Sequence, residues 1–69
     1  MITKEEFERQ WNQSPNEIRE IYLGTMSGTI ATSYEYKEFK ELDNKPFMKL
    51  SLYGYRVAII YLGDIIKVR

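Results

Sequence analysis

Apolar and polar residues alternate most regularly in the last third of the chain, residues 47–69, which read FMKLSLYGYRVAIIYLGDIIKVR. β-Branched and aromatic residues are frequent here, and two turn signals, Tyr53-Gly54 and Gly63-Asp64, divide the stretch. The second signal is a Gly-X pair that suits a type II′ hairpin turn. The pattern predicts an antiparallel meander with strands at about 47–52, 55–62 and 65–69.

Two-residue loops at both turns would fix the register of this meander. Leu50 would lie opposite Val57, and Ile59 would lie opposite Val68. Because side chains alternate along a strand, one apolar set then shares a face. That set is Met48, Leu50, Leu52, Tyr55, Val57, Ile59, Tyr61, Ile66 and Val68. Each of the two turns by itself predicts that these residues share one face of the sheet. A shift of the strand register by one residue would move them to the opposite face.

The other face of the predicted meander combines basic residues with an aliphatic strip of Ile60, Leu62 and Ile65. Contiguous exposed apolar area on a small protein is typical of an interface. The candidate partner-binding residues are therefore Lys49, Arg56, Ile60, Leu62, Ile65, Lys67 and Arg69. In the alternative, the sheet curls toward a small barrel that a strand from Thr29 closes, and the aliphatic strip is internal.

The N-terminal third carries two helix start signals. Thr3 and Glu6 form a capping box, which predicts a helix over about 4–12 with Trp11 on its buried side; the alternative for Trp11 is an exposed binding anchor. Ser14 as N-cap, followed by Pro15 at the first helical position, predicts a second short helix over about 15–23.

The middle of the chain fits two structures. Residues 29–36 alternate in polarity as a strand does, whereas residues 33–42 also fit a helix in which Tyr36, Phe39 and Leu42 are three apart. We predict a strand over about 29–38. Asp43 to Pro46 then forms a turn, because Asp and Asn favour local bonds between side chain and backbone.

These elements predict one small α+β domain over residues 1–69, with two short N-terminal helices packed on an antiparallel sheet of three to four strands. A domain of this length buries only about 60% of its unfolded surface, so its stability is small. The chain has no cysteine, and its longest apolar run, 57–62, is far too short to span a membrane. We expect a cytoplasmic protein without a membrane segment.

Charge is distributed unevenly along the chain. Residues 1–44 carry five basic and nine acidic residues, a net charge of −4, and residues 45–69 carry five basic and one acidic residue, a net charge of +4. Such asymmetry either marks a surface that meets a charged partner or is neutralised internally, where acidic helices pack near a basic sheet.

Catalytic chemistry has little support in the sequence. His and Cys are both absent, which removes the usual transition-metal ligand sets, the Ser-His dyad and the thiolate nucleophile. Asp43 and Asp64 could act as an acid–base pair or as magnesium ligands, but both lie in turn sequences where Asp is expected for backbone reasons. We expect no enzyme activity, no cofactor and no metal.

The sequence therefore favours a protein-interaction module, an adaptor, regulator or inhibitor that uses one face or edge of its C-terminal sheet. Its partner would be another protein or a second copy of the chain. The alternative is a nucleic-acid-binding sheet that uses Lys49, Tyr53, Tyr55 and Arg56 for phosphate contacts and base stacking. Zero net charge disfavours that alternative, because dedicated nucleic-acid binders usually carry a basic excess.

Overall fold

The computed structural model describes residues 2–69, which form one α-helix and six β-strands in two antiparallel sheets. The strand orders are β2-β1-β6 and β3-β4-β5. The predicted α+β class is confirmed at this level, with one helix in place of two. The elements are α1 Lys4–Gln13, β1 Arg19–Thr25, β2 Gly28–Tyr34, β3 Tyr36–Leu42, β4 Lys45–Leu52, β5 Arg56–Tyr61, a 3₁₀ turn Leu62–Asp64 and β6 Ile65–Val68.

Helix α1 begins where its capping residue predicts. The Thr3 hydroxyl oxygen accepts a hydrogen bond from the Glu6 N–H (3.1 Å), which satisfies one of the free amides of the first turn. Phe7 and Trp11 are buried, and their rings stack with centroids 5.9 Å apart. This aromatic stripe attaches the helix to the core.

The predicted second helix over 15–23 is wrong. Ser14 closes α1 instead of opening another helix, since its N–H donates to the Gln10 carbonyl oxygen (3.2 Å). Strand β1 begins at Arg19 and is the central strand of its sheet, with Ile21 fully buried. An isolated helix of two turns is marginal in water, and strand pairing on both sides of β1 outweighs its start signal.

The predicted strand over about 29–38 is interrupted at Glu35, and residues 36–42, which also fitted a helix, continue as strand to Leu42. Strand β2 ends at Tyr34 in one sheet, and β3 begins at Tyr36 in the other. The Glu35 N–H donates to the Ser51 carbonyl oxygen (3.0 Å) at this corner. One predicted strand thus supplies an edge strand to each of the two sheets.

The turn after β3 contains only Asp43 and Asn44, with φ of 51° and 63° as a type I′ hairpin turn requires. Pro46, predicted as part of the turn, lies in β4. Leu42 and Lys45 flank the turn and exchange both backbone hydrogen bonds. The backbone of Pro46, the next residue, therefore directs its hydrogen-bonding groups away from β3, so the N–H that proline lacks removes no hydrogen bond to β3.

The β4–β5 hairpin contains one residue more than predicted. Tyr53 and Gly54 form the tight turn, with φ of 55° and 77°, and the Tyr55 N–H donates to the Leu52 carbonyl oxygen (3.4 Å). Tyr55 is then an extra residue, in the manner of a β-bulge, and Arg56 lies opposite Leu52 in its place.

This extra residue exchanges the two faces of β5. The predicted pairing of Leu50 with Val57 is wrong, because Ala58 lies opposite Leu50. Ala58 and Ile60 pack against the core, whereas Val57 and Ile59 are 51% and 54% exposed. A register shift of one residue moves every side chain of a strand to the opposite face.

The predicted second hairpin and the three-strand meander are also wrong. Strand β6 pairs with β1 in the first sheet, and the 3₁₀ turn carries the chain from one sheet to the other. Gly63 does not form the predicted type II′ turn. Its missing side chain instead makes room for the ring of Tyr61, which a Cβ at position 63 would overlap.

Both sheets contribute to one hydrophobic core. The first sheet supplies Ile21, Ile65 and Val68, the second supplies Met48 and Leu50, and α1 packs against them. The pairing of the strands does not close into a barrel. Within the described chain, no helix combines the length and the apolar composition needed to cross a membrane.

Candidate interaction surface

The second sheet presents to solvent the face that lies away from the core, which we call the outer face. Directly opposed residues of antiparallel strands share a face, so its side chains form three rows across β3, β4 and β5. Strand pairing therefore places Val57, Ile59 and Tyr61 on the outer face, although the predicted register assigned them to the face that packs on the core. The rows are Tyr36, Ser51 and Val57; Glu38, Lys49 and Ile59; and Lys40, Phe47 and Tyr61. The pair Leu42 and Lys45 continues the outer face beyond the end of β5.

The outer face changes from polar to apolar across its width. On the β3 side, Lys40 and Glu38 approach to 3.9 Å as an exposed ion pair. On the β5 side, Val57 and Ile59 are half-exposed, and Tyr61 packs against Phe47 with ring centroids 5.6 Å apart. The most apolar part of the outer face thus lies along the edge of the sheet.

The backbone along this edge is available for hydrogen bonding. Because Leu42 and Lys45 exchange both of their bonds, alternation along the strands directs the N–H and C=O groups of Val57, Ile59 and Tyr61 away from β4. Among the described residues, no strand or side chain pairs with β5 on that side. An edge strand of this kind is a template for pairing with another chain.

Strand β6, at an edge of the first sheet, is protected by the helix. The Gln10 side-chain oxygen accepts a hydrogen bond from the Val68 N–H (2.8 Å), so a helix side chain occupies the place of a neighbouring strand. At only four residues, β6 is also short. Both features hinder edge-to-edge pairing.

Strand β3, at the other edge of the second sheet, is charged and lies beside the helix. Lys37 contacts Glu8 of α1 (3.6 Å), and the Lys4 ammonium lies 4.4 Å from the centroid of the Phe39 ring. Strand β2 is uncharged but contains Thr29, Thr32 and Ser33. Strand β5 is therefore the edge whose free backbone groups lie beside two half-exposed aliphatic side chains, Val57 and Ile59, whereas β2 carries one, Ile30.

The structure places the predicted aliphatic strip inside the protein. Leu62 and Ile65 are buried, and Ile60 is partly buried and packs against the core. The expectation that these three residues form an exposed strip is wrong, because Tyr55 shifts the register and β6 leaves the second sheet. Their burial agrees with the alternative in which the strip is internal, although the sheets remain open.

The four predicted basic residues do not form one surface. Lys49 lies on the outer face, half-buried between Glu38 and Ile59. Arg56 is exposed at the start of β5, and Lys67 and Arg69 lie at or beyond β6 in the other sheet. Only Lys49 remains on the outer face, because Arg56 alternates with Val57 and its guanidinium lies 6.0 Å from the centroid of the Tyr34 ring.

The residues of the predicted nucleic-acid contact remain partly together. Tyr53 and Tyr55 are 61% and 79% exposed in the β4–β5 turn, next to Arg56. The Glu35 carboxylate also lies at this turn, where it accepts a hydrogen bond from the Tyr53 N–H (2.6 Å). An acidic group at the tip opposes the phosphate contact that Arg56 would make.

Two open grooves lie at the surface of the protein. One, of about 550 Å³, lies between the C-terminal end of α1 and β6, and is lined by Gln10, Ser14, Glu20 and others. The other, of about 460 Å³, lies beside Glu35. Residues 2–69 contain no group of three His, Cys, Asp or Glu side chains with metal-binding geometry.

The strongly perturbed carboxylate is part of the helix surface. Hydrogen bonds from Arg9 and Gln10 lower the pKa of Glu6 to about 2, and the same contact with Glu6 raises the pKa of Arg9. All three side chains are on α1, so the cluster stabilises the negatively charged form of Glu6 near the helix N-terminus. It has the character of a helix-stabilising network and not of a catalytic acid.

Sequence reasoning missed Val57, Ile59 and Tyr61 as surface residues. Residues 57–62 are apolar throughout, so alternation does not identify which half faces the core. The extra residue Tyr55 determines which half of β5 faces the core. Nothing in the sequence after Tyr53-Gly54 indicates that the hairpin contains this extra residue. One indication in the sequence was the charge of Lys49, because strand pairing places Ile59 opposite Lys49 and therefore on the same face.

Comparisons with protein-family models, curated proteins and solved structures found no match to this chain. Any functional conclusion therefore depends on the geometry of the chain itself.

Proposed function

We propose that this protein is a small non-enzymatic interaction module, an adaptor, regulator or inhibitor, that docks through the outer face of the second sheet and the adjoining β5 edge. The observation that carries the proposal is the row of half-exposed apolar side chains on a strand whose backbone edge is free. Exposed apolar patches on small proteins commonly mark interaction sites.

The apolar character of this face is not required by the fold. Val57 and Ile59 contribute little to the core, because about half of each side chain is in contact with solvent. Polar β-branched residues such as Thr would form the same strand. The burial of these side chains by a partner would give their apolar character a physical reason.

A partner that covers the whole outer face would need to be apolar at its centre and acidic at its rim, whereas a partner that pairs only with the β5 edge would not meet these charges. Lys40, Lys45 and Lys49 lie on the outer face, with Glu38 as the one acidic side chain in its rows. Rim charges of this kind guide association and select partners more than they add affinity. The β5 edge would add backbone hydrogen bonds to an extended segment of the partner.

A photo-crosslinking amino acid at position 59 tests the proposal. Introduced in place of Ile59 in the native host, it is expected to give discrete protein adducts on irradiation. The matched control is Ile30, which is also about half-exposed but lies on β2 in the other sheet. Absence of protein adducts at position 59, or equal adducts at both positions, would contradict the proposal.

A second candidate, nucleic-acid binding, has the support of the exposed pair Tyr53 and Tyr55 beside Arg56. Exposed aromatic rings provide stacking surfaces for unpaired bases. Binding of single-stranded oligonucleotides should then weaken as salt rises, and replacing both tyrosines by Ala should abolish it. Lack of retention even at low salt would remove this candidate.

A further inference from the structure

We propose that the partner of the β5 edge is a second copy of this chain, with the two β5 strands antiparallel about a two-fold axis at Ile59. The two second sheets would then form one continuous six-stranded sheet. This inference rests on the proposed function, since it identifies the occupant of the same surface.

The backbone of β5 is self-complementary in this arrangement. Val57 and Ile59 direct free N–H and C=O groups outward, and Tyr61 adds a free N–H, because its C=O begins the 3₁₀ turn Leu62–Asp64. With Ile59 on the axis, the two copies of Ile59 exchange two bonds, and each Val57 C=O accepts one from the N–H of the partner's Tyr61. The register therefore gives about four inter-chain hydrogen bonds.

The side chains fit the same register. Ile59 would meet the partner's Ile59, and Val57 would meet the partner's Tyr61, a β-branched residue against an aromatic ring. Such cross-strand pairs stabilise antiparallel sheets. The apolar part of each outer face would then lie at the centre of the doubled sheet, and the charged β3 strands would lie at its two ends.

Charge favours this edge-to-edge contact. The strand residues 57–61 are uncharged, and the two copies of Lys49 would lie about 14 Å apart, three strand spacings, which exceeds the screening length at physiological salt. Arg56 would lie opposite the partner's Leu62, next to the turn that carries the partner's Asp64.

Stacking of two outer faces is the less favourable way to cover the same surface. It would bring Lys40, Lys45 and Lys49 of both copies together, with Glu38 as the opposing charge in each. It would also leave the free backbone groups of β5 without partners. The observations therefore favour strand pairing over face stacking.

Cysteine crosslinking tests the register directly, because the chain has no native cysteine. At a two-fold axis through a hydrogen-bonded pair, two Cα atoms lie about 5.5 Å apart, within the range of a disulfide. Ile59→Cys should therefore give a disulfide-linked dimer at least about tenfold faster than Val57→Cys, whose two copies would lie too far apart. Ile30→Cys measures the rate of random collision.

Sedimentation of the unmodified chain over a concentration series provides the independent measurement. The contact is small compared with the roughly 800 Å² per partner of a standard interface, so the dimer should dissociate on dilution. Ile59→Lys should make the chain monomeric without unfolding it, and Ile30→Lys should leave dimerisation unchanged.

The outcomes separate this inference from the proposed function. A monomer at all concentrations, or Val57→Cys crosslinking as fast as Ile59→Cys, would overturn the β5 dimer. If photo-adducts at position 59 then contain only other proteins, the interaction module stands and the second copy is excluded. If position 59 gives no adduct of either kind, both proposals fail.

Discussion

The two sheets differ in how they treat their apolar residues and their edges. In the first, the helix occupies the β6 edge through Gln10, and Tyr22 on the solvent side is covered by the Lys67 ammonium, 4.8 Å from its ring. In the second, the β5 edge is free, and Val57 and Ile59 beside it have no such cover.

The comparison shows that protection of an edge is local and selective in this protein. The same helix that covers β6 also lies beside β3, where Lys37 contacts Glu8. Among residues 2–69, the hydrogen bonds, the ion pair and the cation–π contacts that the helix makes with the sheets involve β1, β3 and β6 and not β5. Since exposed apolar edges favour association, the position of the helix determines which part of the surface is open to a partner.

The largest expected effect comes from placing a charge on the buried side of the first sheet. Ile65→Lys buries an unpaired ammonium at a site that is 1% exposed, which should cost more than about 4 kcal/mol. A domain of this length has a free energy of unfolding of roughly 3–10 kcal/mol, so we expect the variant to be largely unfolded by circular dichroism.

The neighbouring residue is the control for that change. Ile66 is 50% exposed, and Ile66→Lys should alter the melting temperature little. Equal destabilisation by the two changes would show that β6 does not present these faces.

The second prediction distinguishes the inner and outer faces of the second sheet. Ile60 packs against the core whereas Ile59 is exposed. Ile60→Lys should therefore destabilise the fold by about 2–4 kcal/mol in urea denaturation, and Ile59→Lys by less than about 1 kcal/mol. If Ile59→Lys destabilised the fold more than Ile60→Lys, the predicted register, in which Tyr55 is not an extra residue, would be correct.

The third prediction concerns the covered edge. Gln10→Ala removes the acceptor of the Val68 N–H, which should cost about 1 kcal/mol of stability and accelerate exchange of the Val68 amide hydrogen. Asn12→Ala, on the exposed side of the same helix, should leave that amide unchanged. If Val68 exchange is the same in both variants, the helix does not protect β6.

The smallest expected effect is the pH dependence of the helix network. Because the pKa of Glu6 is lowered from 4.5 to about 2 in the folded protein, its contacts stabilise the fold above pH 4.5. That contribution should disappear as pH falls from about 4.5 to about 2. In thermal melts, the difference between wild type and Glu6→Gln should be largest near neutral pH and should shrink across this interval.

Glu8→Gln is the matched control, since Glu8 belongs to the same helix but lies outside the network with Arg9. A wild-type advantage over Glu6→Gln that persists unchanged at pH 2 would contradict the assignment of the network.

The parts of the fold that depend on local chemistry could be predicted from the sequence. The Thr3 hydroxyl caps its own helix, and Asp43-Asn44 adopts the left-handed conformations that its residue types favour. The second helix was wrong because β1 gains its stability from β6, at the far end of the chain. Local start signals at Ser14 and Pro15 contain no information about that pairing.

The candidate surface was harder to predict for a different reason. Strand β5 is apolar on both faces, so each of two registers produces a plausible core. The prediction placed the basic residue Lys49 on the sheet face away from the helices, and the structure also has Lys49 on the outer face, but the apolar residues beside it were exchanged with their neighbours. The two registers differ only in whether the hairpin contains the extra residue Tyr55.

The contact between Gly63 and the ring of Tyr61 has a consequence for how this protein can evolve. A Cβ at position 63 would overlap the Tyr61 ring, and its three nearest neighbours are all atoms of that ring. Replacing Tyr61 with Val would release position 63, whereas a change at Gly63 alone would displace the ring from the end of the outer face. In related sequences the two positions should therefore vary together, and their covariation would record whether a lineage keeps an aromatic residue at this end of the outer face.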